Sequence, residues 1–249
     1  MGVMNNLLTL TMVLTLLASI SVAGDVPSID SINWAIYDNF DNPSNISRWE
    51  INNDRTGFWY ENGNGILYMD NFASARFSAV ASYDNALGIR ADLALQPYFP
   101  GDHNGSGKLM IGAEVLPEFY LTFGFNSPFV YKSTQPYHLS IMASGTGFGE
   151  QELLEDQEIE YGRNYNLAIL TEESSNWIHF YLDSEIFASV ELTEHPTITG
   201  FFILGNTFDS GMKLTMDNFC VAVPEPATLL LLGLGGLILR KPNFRGEER

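Results

Sequence analysis

The chain has 249 residues, a formal net charge of −18, 45% hydrophobic residues and a single cysteine. That length and apolar content exclude a disordered chain and are ample for a buried core. The acidity argues against nucleic acid as a partner, since a polyanion meets a repulsive field, and one cysteine excludes an intrachain disulfide framework and a cysteine-rich metal site.

The first element is an apolar run, Leu7 to Leu17, broken only by Thr and followed by Ser21-Val22-Ala23. Small residues one and three places before a cut are the mark of a secretory signal peptide, so residues 1–23 are read as a signal cleaved after Ala23. The first ten residues hold no Lys or Arg, which leaves only the α-amine for the positive start. The alternative is an uncleaved N-terminal anchor.

The stretch 24–222 shows period-2 alternation between turn signals, the pattern of half-buried strands. Strands are expected at Trp34–Phe40, Trp49–Ile51, Phe58–Tyr60, Gly65–Met69, Ala75–Ser82, Ile89–Leu95, Leu109–Val115, Tyr120–Phe125, His138–Ala143, Asn164–Leu170, Trp177–Leu182, Ile186–Leu192, Thr199–Leu204 and Met212–Val221. Turn residues punctuate them, among them Asn62-Gly63-Asn64-Gly65, Asn104-Gly105-Ser106-Gly107 and Gly145-Thr146-Gly147. Trp177–Leu182, Asp183-Ser184 and Glu185–Val190 read as a hairpin. No amphipathic helix longer than about two turns is expected. Gln151–Glu160 is ambiguous, a short helix or, as we favour, a solvated acidic loop. Many short strands at this spacing define an all-β, antiparallel two-sheet sandwich or jelly roll.

The last element is a second apolar run, Ala227 to Leu239, between Pro224-Glu225-Pro226 and Arg240-Lys241. It is expected to cross a membrane with its basic end in the cytoplasm. A buried core helix fits poorly, because it would start at two prolines and end in a basic tail. Val223-Pro224-Glu225-Pro226-Ala227-Thr228, the Leu/Gly-rich run and the Arg-Lys end resemble, in that order, the PEP-CTERM sorting signal of Gram-negative bacteria. The resemblance covers residues 223–249. It implies an exosortase partner, a membrane cysteine protease that cuts near Pro224–Pro226, and a transient inner-membrane anchor before release to the cell surface or matrix. It supplies an address and no activity.

The middle of the chain resembles the concanavalin-A-like superfamily in its laminin-G-like form. Tyr37-Asp38-Asn39-Phe40-Asp41 with Trp49, the late hairpin, and Met216-Asp217-Asn218-Phe219-Cys220-Val221 carry that resemblance. It implies that the first and last strands lie side by side. Asp-Asn-Phe recurs at Asp38–Phe40, Asp70–Phe72 and Asp217–Phe219, where each Phe is expected to enter the core.

A glycosidase on this fold needs two carboxylates flanking a sugar ring. Laminarinase-type relatives set them on one strand as Glu-x-Asp-x-(x)-Glu, a motif that the run Glu150–Glu160 does not match, although Glu158 and Glu160 alternate. His103, His138, His179 and His195 have no ligand spacing and are read as surface or turn residues. No nucleophile elbow or phosphate loop occurs, and Cys220 is read as a small core hydrophobe. No catalytic residue, metal site or cofactor is assigned. Calcium at Asp38, Asp41 and Asp217 is the alternative to strand-end capping by the same aspartates, which we favour. Sugar faces pack on aromatic rings, so Trp59, Tyr60, Tyr98, Tyr131 and Tyr137, near expected loops, are the candidate glycan contacts; a core role is the competing reading for each.

We therefore expect a secreted or surface-sorted, non-enzymatic sandwich that binds glycans or serves adhesion or structure in the envelope. The alternative is a polysaccharide-active glycoside hydrolase of the same fold. Without its two ends the chain keeps 27 acids against 8 bases, a formal −19.

Overall fold

A computed structural model of the protein describes residues 28–55, 58–60, 67–69, 74–80, 86–97, 107–116, 119–127, 137–145, 148–172, 175–207 and 212–222. The expected signal peptide and the run 227–239 lie outside them. Among the described residues no helix is long and apolar enough to cross a membrane.

The strands are β1 (Trp34–Asp38), β2 (Trp49–Arg55), β3 (Phe58–Tyr60), β4 (Leu67–Met69), β5 (Ser74–Ala79), β6 (Gly88–Pro97), β7 (Gly107–Leu116), β8 (Phe119–Ser127), β9 (His138–Gly145), β10 (Phe148–Glu158), β11 (Asn164–Thr171), β12 (Trp177–Leu182), β13 (Glu185–Glu191), β14 (Gly200–Thr207) and β15 (Met212–Ala222). Two short 3-10 turns, Ile29–Ser31 and Pro43–Arg48, flank β1. The first sheet runs β13-β12-β11-β6-β15-β4-β3, with β1 also on β15; the second runs β10-β9-β8-β7-β14-β5-β2. Each pairing is antiparallel. The result is a two-sheet sandwich of jelly-roll type, as the alternation implies.

Every expected strand is present. Asp183 and Ser184 turn the β12–β13 hairpin with φ of 49° and 72°, the left-handed pair that matches strand twist. β1 pairs with β15, Trp34 opposite Ala222, so the first and last strands do lie together. The correction concerns the acidic run: it is neither helix nor loop but β10, an edge strand on β9.

The inner faces meet in an aromatic core. Tyr37 meets Trp49 edge-on at 5.0 Å, Trp49 meets Phe219 at 5.2 Å, and Phe40 packs against Trp49 at 6.5 Å. Phe123 on β8 meets Phe180 on β12 at 5.6 Å and so ties one sheet to the other. Phe40 and Phe219 are both buried, as the repeated Asp-Asn-Phe suggests, while Phe72 lies outside the described residues. Asp38 anchors this corner. Its Oδ1 accepts from Phe40 N at 2.8 Å and Asn45 Nδ2 at 3.2 Å, and its Oδ2 accepts from Trp49 Nε1 at 2.8 Å.

Candidate functional site

Strand alternation decides which side chains leave the core. On β7, Leu109, Ile111, Ala113 and Val115 point inward, leaving Lys108, Met110, Gly112 and Glu114 on the outward face of the second sheet. On β8 the same rule sets Leu121, Phe123 and Phe125 inward and Tyr120, Thr122 and Asn126 outward. Phe201 and Phe202 are adjacent on β14, so one ring enters the core and the other faces out. Arg76 faces out on β5, opposite Leu204.

This outward face is sheltered. Met110 and Ser140 are fully buried, and Phe202, Thr122 and Lys108 are 3%, 4% and 5% exposed. Two groupings stand on it. At one side Glu152 of β10 accepts through Oε1 from Asn126 Nδ2 at 3.1 Å and from Ser140 Oγ, tying three strands. At the other, Tyr120 meets Phe202 edge-on at 5.7 Å, and the Arg76 guanidinium lies over both rings, 4.5 Å and 3.9 Å from their centroids. Gly112 lies beneath Phe202: a Cβ there would come within 2.3 Å of the ring. A guanidinium set over aromatic rings can bond a sugar's oxygen atoms while a ring packs the sugar's face.

The residues expected to bind glycans do not come together here. Trp59 and Tyr60 belong to β3 at an edge of the first sheet, Trp59 opposite Tyr68. Tyr98 and Tyr131 lie outside the described residues. Tyr137 is a correction: its ring is buried in the core, 2% exposed, and offers no platform. Phe202 is not among the candidates, and its adjacency to Phe201 on one strand is the signal that one of the two rings faces away from the core.

The outward face of the first sheet is different. Ile29, Ala168, Leu170, Tyr181 and Ala222 form a second apolar cluster there, packed by Ile32, Trp34 and Leu87. His179 is fully buried, not a surface residue. Its ring stacks on Trp177 at 6.5 Å, Nδ1 shares a 2.8 Å hydrogen bond with Ser189 Oγ, and Nε2 has no partner. Burial lowers its pKa, and the Glu172 carboxylate opposes this. Cys220 is buried, as expected, and its pKa is raised by burial.

The aspartates considered for calcium have other neighbours. Asp217 on β15 stands opposite Asp92 on β6. Burial pushes the Asp217 carboxyl up to about 6; Asn218 N opposes this, while Asp92, Asp41 and Asp38 add to the rise. Asp92 accepts from Asn166 Nδ2 at 2.7 Å and Asn218 Nδ2 at 2.9 Å. Asp38 is engaged by the donors given above, the capping role expected of it. Among the described residues no three His, Cys, Asp or Glu side chains are grouped to hold a metal ion.

Residues 222–241 match the PEP-CTERM protein-sorting motif, so Pro224, Glu225, Pro226, Arg240 and Lys241 fall within it and the chain carries that signal directly after β15. No curated protein sequence matches the chain. The sandwich is similar to several solved structures. The CBM2 module of the evolved Dit of Lactobacillus casei BL23 phage J-1 is 14% identical, with a TM-score of 0.52 over 74% of this chain and 92% of that one. A pseudo β-1,3-glucanase of Mycobacterium tuberculosis, also described as an immunostimulatory antigen, is 14% identical, with a TM-score of 0.50 over 76% and 98%. A xylan β-1,4-xylosidase from Bacillus halodurans C-125 is 13% identical, with a TM-score of 0.50 over 81% of this chain and 40% of the enzyme. Such low identity shows a shared fold and nothing finer. The class is therefore an all-β sandwich of jelly-roll type that ends in a protein-sorting motif.

Proposed function

We propose that this chain is a non-enzymatic glycan-binding protein delivered to the cell surface or its surrounding matrix. The observation that carries this is the outward face of the second sheet, where the Arg76 guanidinium lies over the Tyr120 and Phe202 rings, with Asn126, Ser140 and Glu152 grouped further along the same face. The sorting motif supports the address, with an exosortase as processing partner and membrane attachment by the run 227–239 until the cut. The fold supports the class of ligand, since the sandwiches it is similar to include a CBM2 module and a pseudo β-1,3-glucanase.

A polysaccharide-active glycoside hydrolase is the second reading. Glu114 and Glu152 are the carboxylates of the outward face it would draw on, on β7 and β10 with β8 and β9 between them. Glu158 and Glu160 are both exposed, at and beyond the end of β10, and Glu160 lies 3.8 Å from Arg163.

The test is a glycan array probed with the secreted protein, followed by assay of reducing-sugar release from every polysaccharide bound. Binding without release, weakened in Tyr120→Leu, is the expected result. Release lost in Glu114→Gln, Glu152→Gln or the Glu158→Gln/Glu160→Gln pair would establish the hydrolase instead. Absence of binding to any glycan would leave a structural matrix role.

A further inference from the structure

The stretch 24–222 holds 27 acids against 8 bases, so an arginine in it has carboxylates in more than threefold excess to choose from. Arg163 takes one, bonding Asp183 at 2.5 Å. Arg76 takes none. Its contacts among the described residues are the Tyr120 and Phe202 rings, and its buried Nε has no acceptor. Carboxylates stand on the same face, Glu50 on β2 and Glu114 on β7, yet neither is paired with it. Ring faces compensate a guanidinium's charge but leave its five N–H donors without oxygen acceptors. Buried donors are nearly always satisfied, so an orphan of this kind marks a place where a partner is expected.

The chemistry of that partner follows from the donor. A rigid, charged fork of N–H groups pairs best with a carboxylate or sulfate, in short charge-assisted bonds. The Tyr120 ring beside it suits a neutral sugar face. The strongly negative protein around it disfavours a densely charged polymer, because charges closer than about one Debye length, ~8 Å, repel with little screening. We propose that Arg76, braced by Tyr120 and Phe202, recognises the acidic group of a glycan in which charged sugars are separated by neutral ones. This deepens the glycan-binding reading and rests on it.

The test compares gellan, whose uronates are spaced by neutral sugars, with carboxyl-reduced gellan, the same chain without its charge. Kappa-carrageenan before and after desulfation forms the sulfate arm. Wild-type protein should bind at least one charged form roughly tenfold more tightly than its uncharged counterpart. Arg76→Gln should abolish that ratio, and Arg76→Lys should retain part of it as a point charge. Tyr120→Leu should weaken charged and uncharged chains alike. Equal binding of charged and uncharged chains, with Arg76→Gln indistinguishable from wild type, overturns the inference and leaves glycan binding standing. Absence of binding to all four chains and to the glycan array overturns both. Unchanged circular dichroism of each variant shows that binding, not folding, has been altered.

Discussion

The outward faces of the two sheets have been used in opposite ways. On the first sheet, the chain covers its own face: Ile29 and Trp34 from the N-terminal segment pack over Leu170, Ala168, Tyr181 and Ala222. The Trp34 indole donates to Ile29 O at 3.0 Å, and Arg90 lies over its ring at 4.9 Å. The second sheet instead carries polar and charged groups on its outer face: Asn126 and Ser140 donate to Glu152, and Arg76 lies over Tyr120 and Phe202 with a buried Nε that has no acceptor among the described residues. A sandwich needs only one buried face per sheet. The first sheet covers its outer face with apolar side chains, and the outer face of the second is the one that we propose for recognition.

That contrast separates substitutions by their effects. Trp49→Ala should have the largest, about 4 kcal/mol of lost stability, because the indole fills the core corner and satisfies Asp38. Urea unfolding measures it, and a loss under 1 kcal/mol would show that the corner is dispensable. Gly112→Ala should cost roughly 1–3 kcal/mol, since the new methyl displaces Phe202, and it should weaken glycan binding at the same time. Trp34→Ala should cost about 1–2 kcal/mol and leave glycan binding unchanged, because its cover lies on the other sheet. If Trp34→Ala weakened binding as much as Gly112→Ala does, the division between the two faces would be lost.

The smallest expected effect is a pH dependence confined to the first sheet, and it has two opposing parts. His179 has a pKa lowered by burial from 6.5, so the unfolded chain binds its proton more readily. Its contribution is full above pH 6.5 and is lost as the pH falls. Asp217 has a pKa raised from 3.8 to about 6, so the folded protein holds that proton more tightly. Its contribution is full below 3.8 and is lost as the pH rises through about 6. Urea midpoints measured from about pH 4 to 7 should therefore rise with pH in Asp217→Asn and fall with pH in His179→Asn. The same slope in both variants would contradict the assignment.

Most of the fold was legible because alternation survives wherever one strand face is buried. Leu109, Ile111, Ala113 and Val115 fall on every second position of β7, and Leu121, Phe123 and Phe125 do the same on β8. β10 was not legible for a physical reason. Its register against β9 shifts at Glu152/Leu154 and twice more, so bulges break the period and leave Leu153 and Leu154 adjacent within a run of acids. Tyr137 follows Gln135-Pro136, which reads as a loop, but tertiary packing takes its ring into the core. The candidate face was harder still. Arg76, Tyr120 and Phe202 come from β5, β8 and β14, and only the strand order brings them together. Each alternates with a core residue, Phe77, Leu121 and Phe201, so their outward direction was readable and their meeting was not. His179 was misread for the same reason: its outward register is plain, but burial comes from Trp177, Tyr181 and Ser189 around it.

The most direct test is to map the amide and side-chain NMR shifts of the protein as a bound polysaccharide is added. The account predicts changes centred on Arg76, Tyr120 and Phe202 and their neighbours on β5, β7, β8 and β14, with Trp34 and His179 unmoved. Changes centred on the first sheet's face, or none on either face with a glycan demonstrably bound, would contradict it.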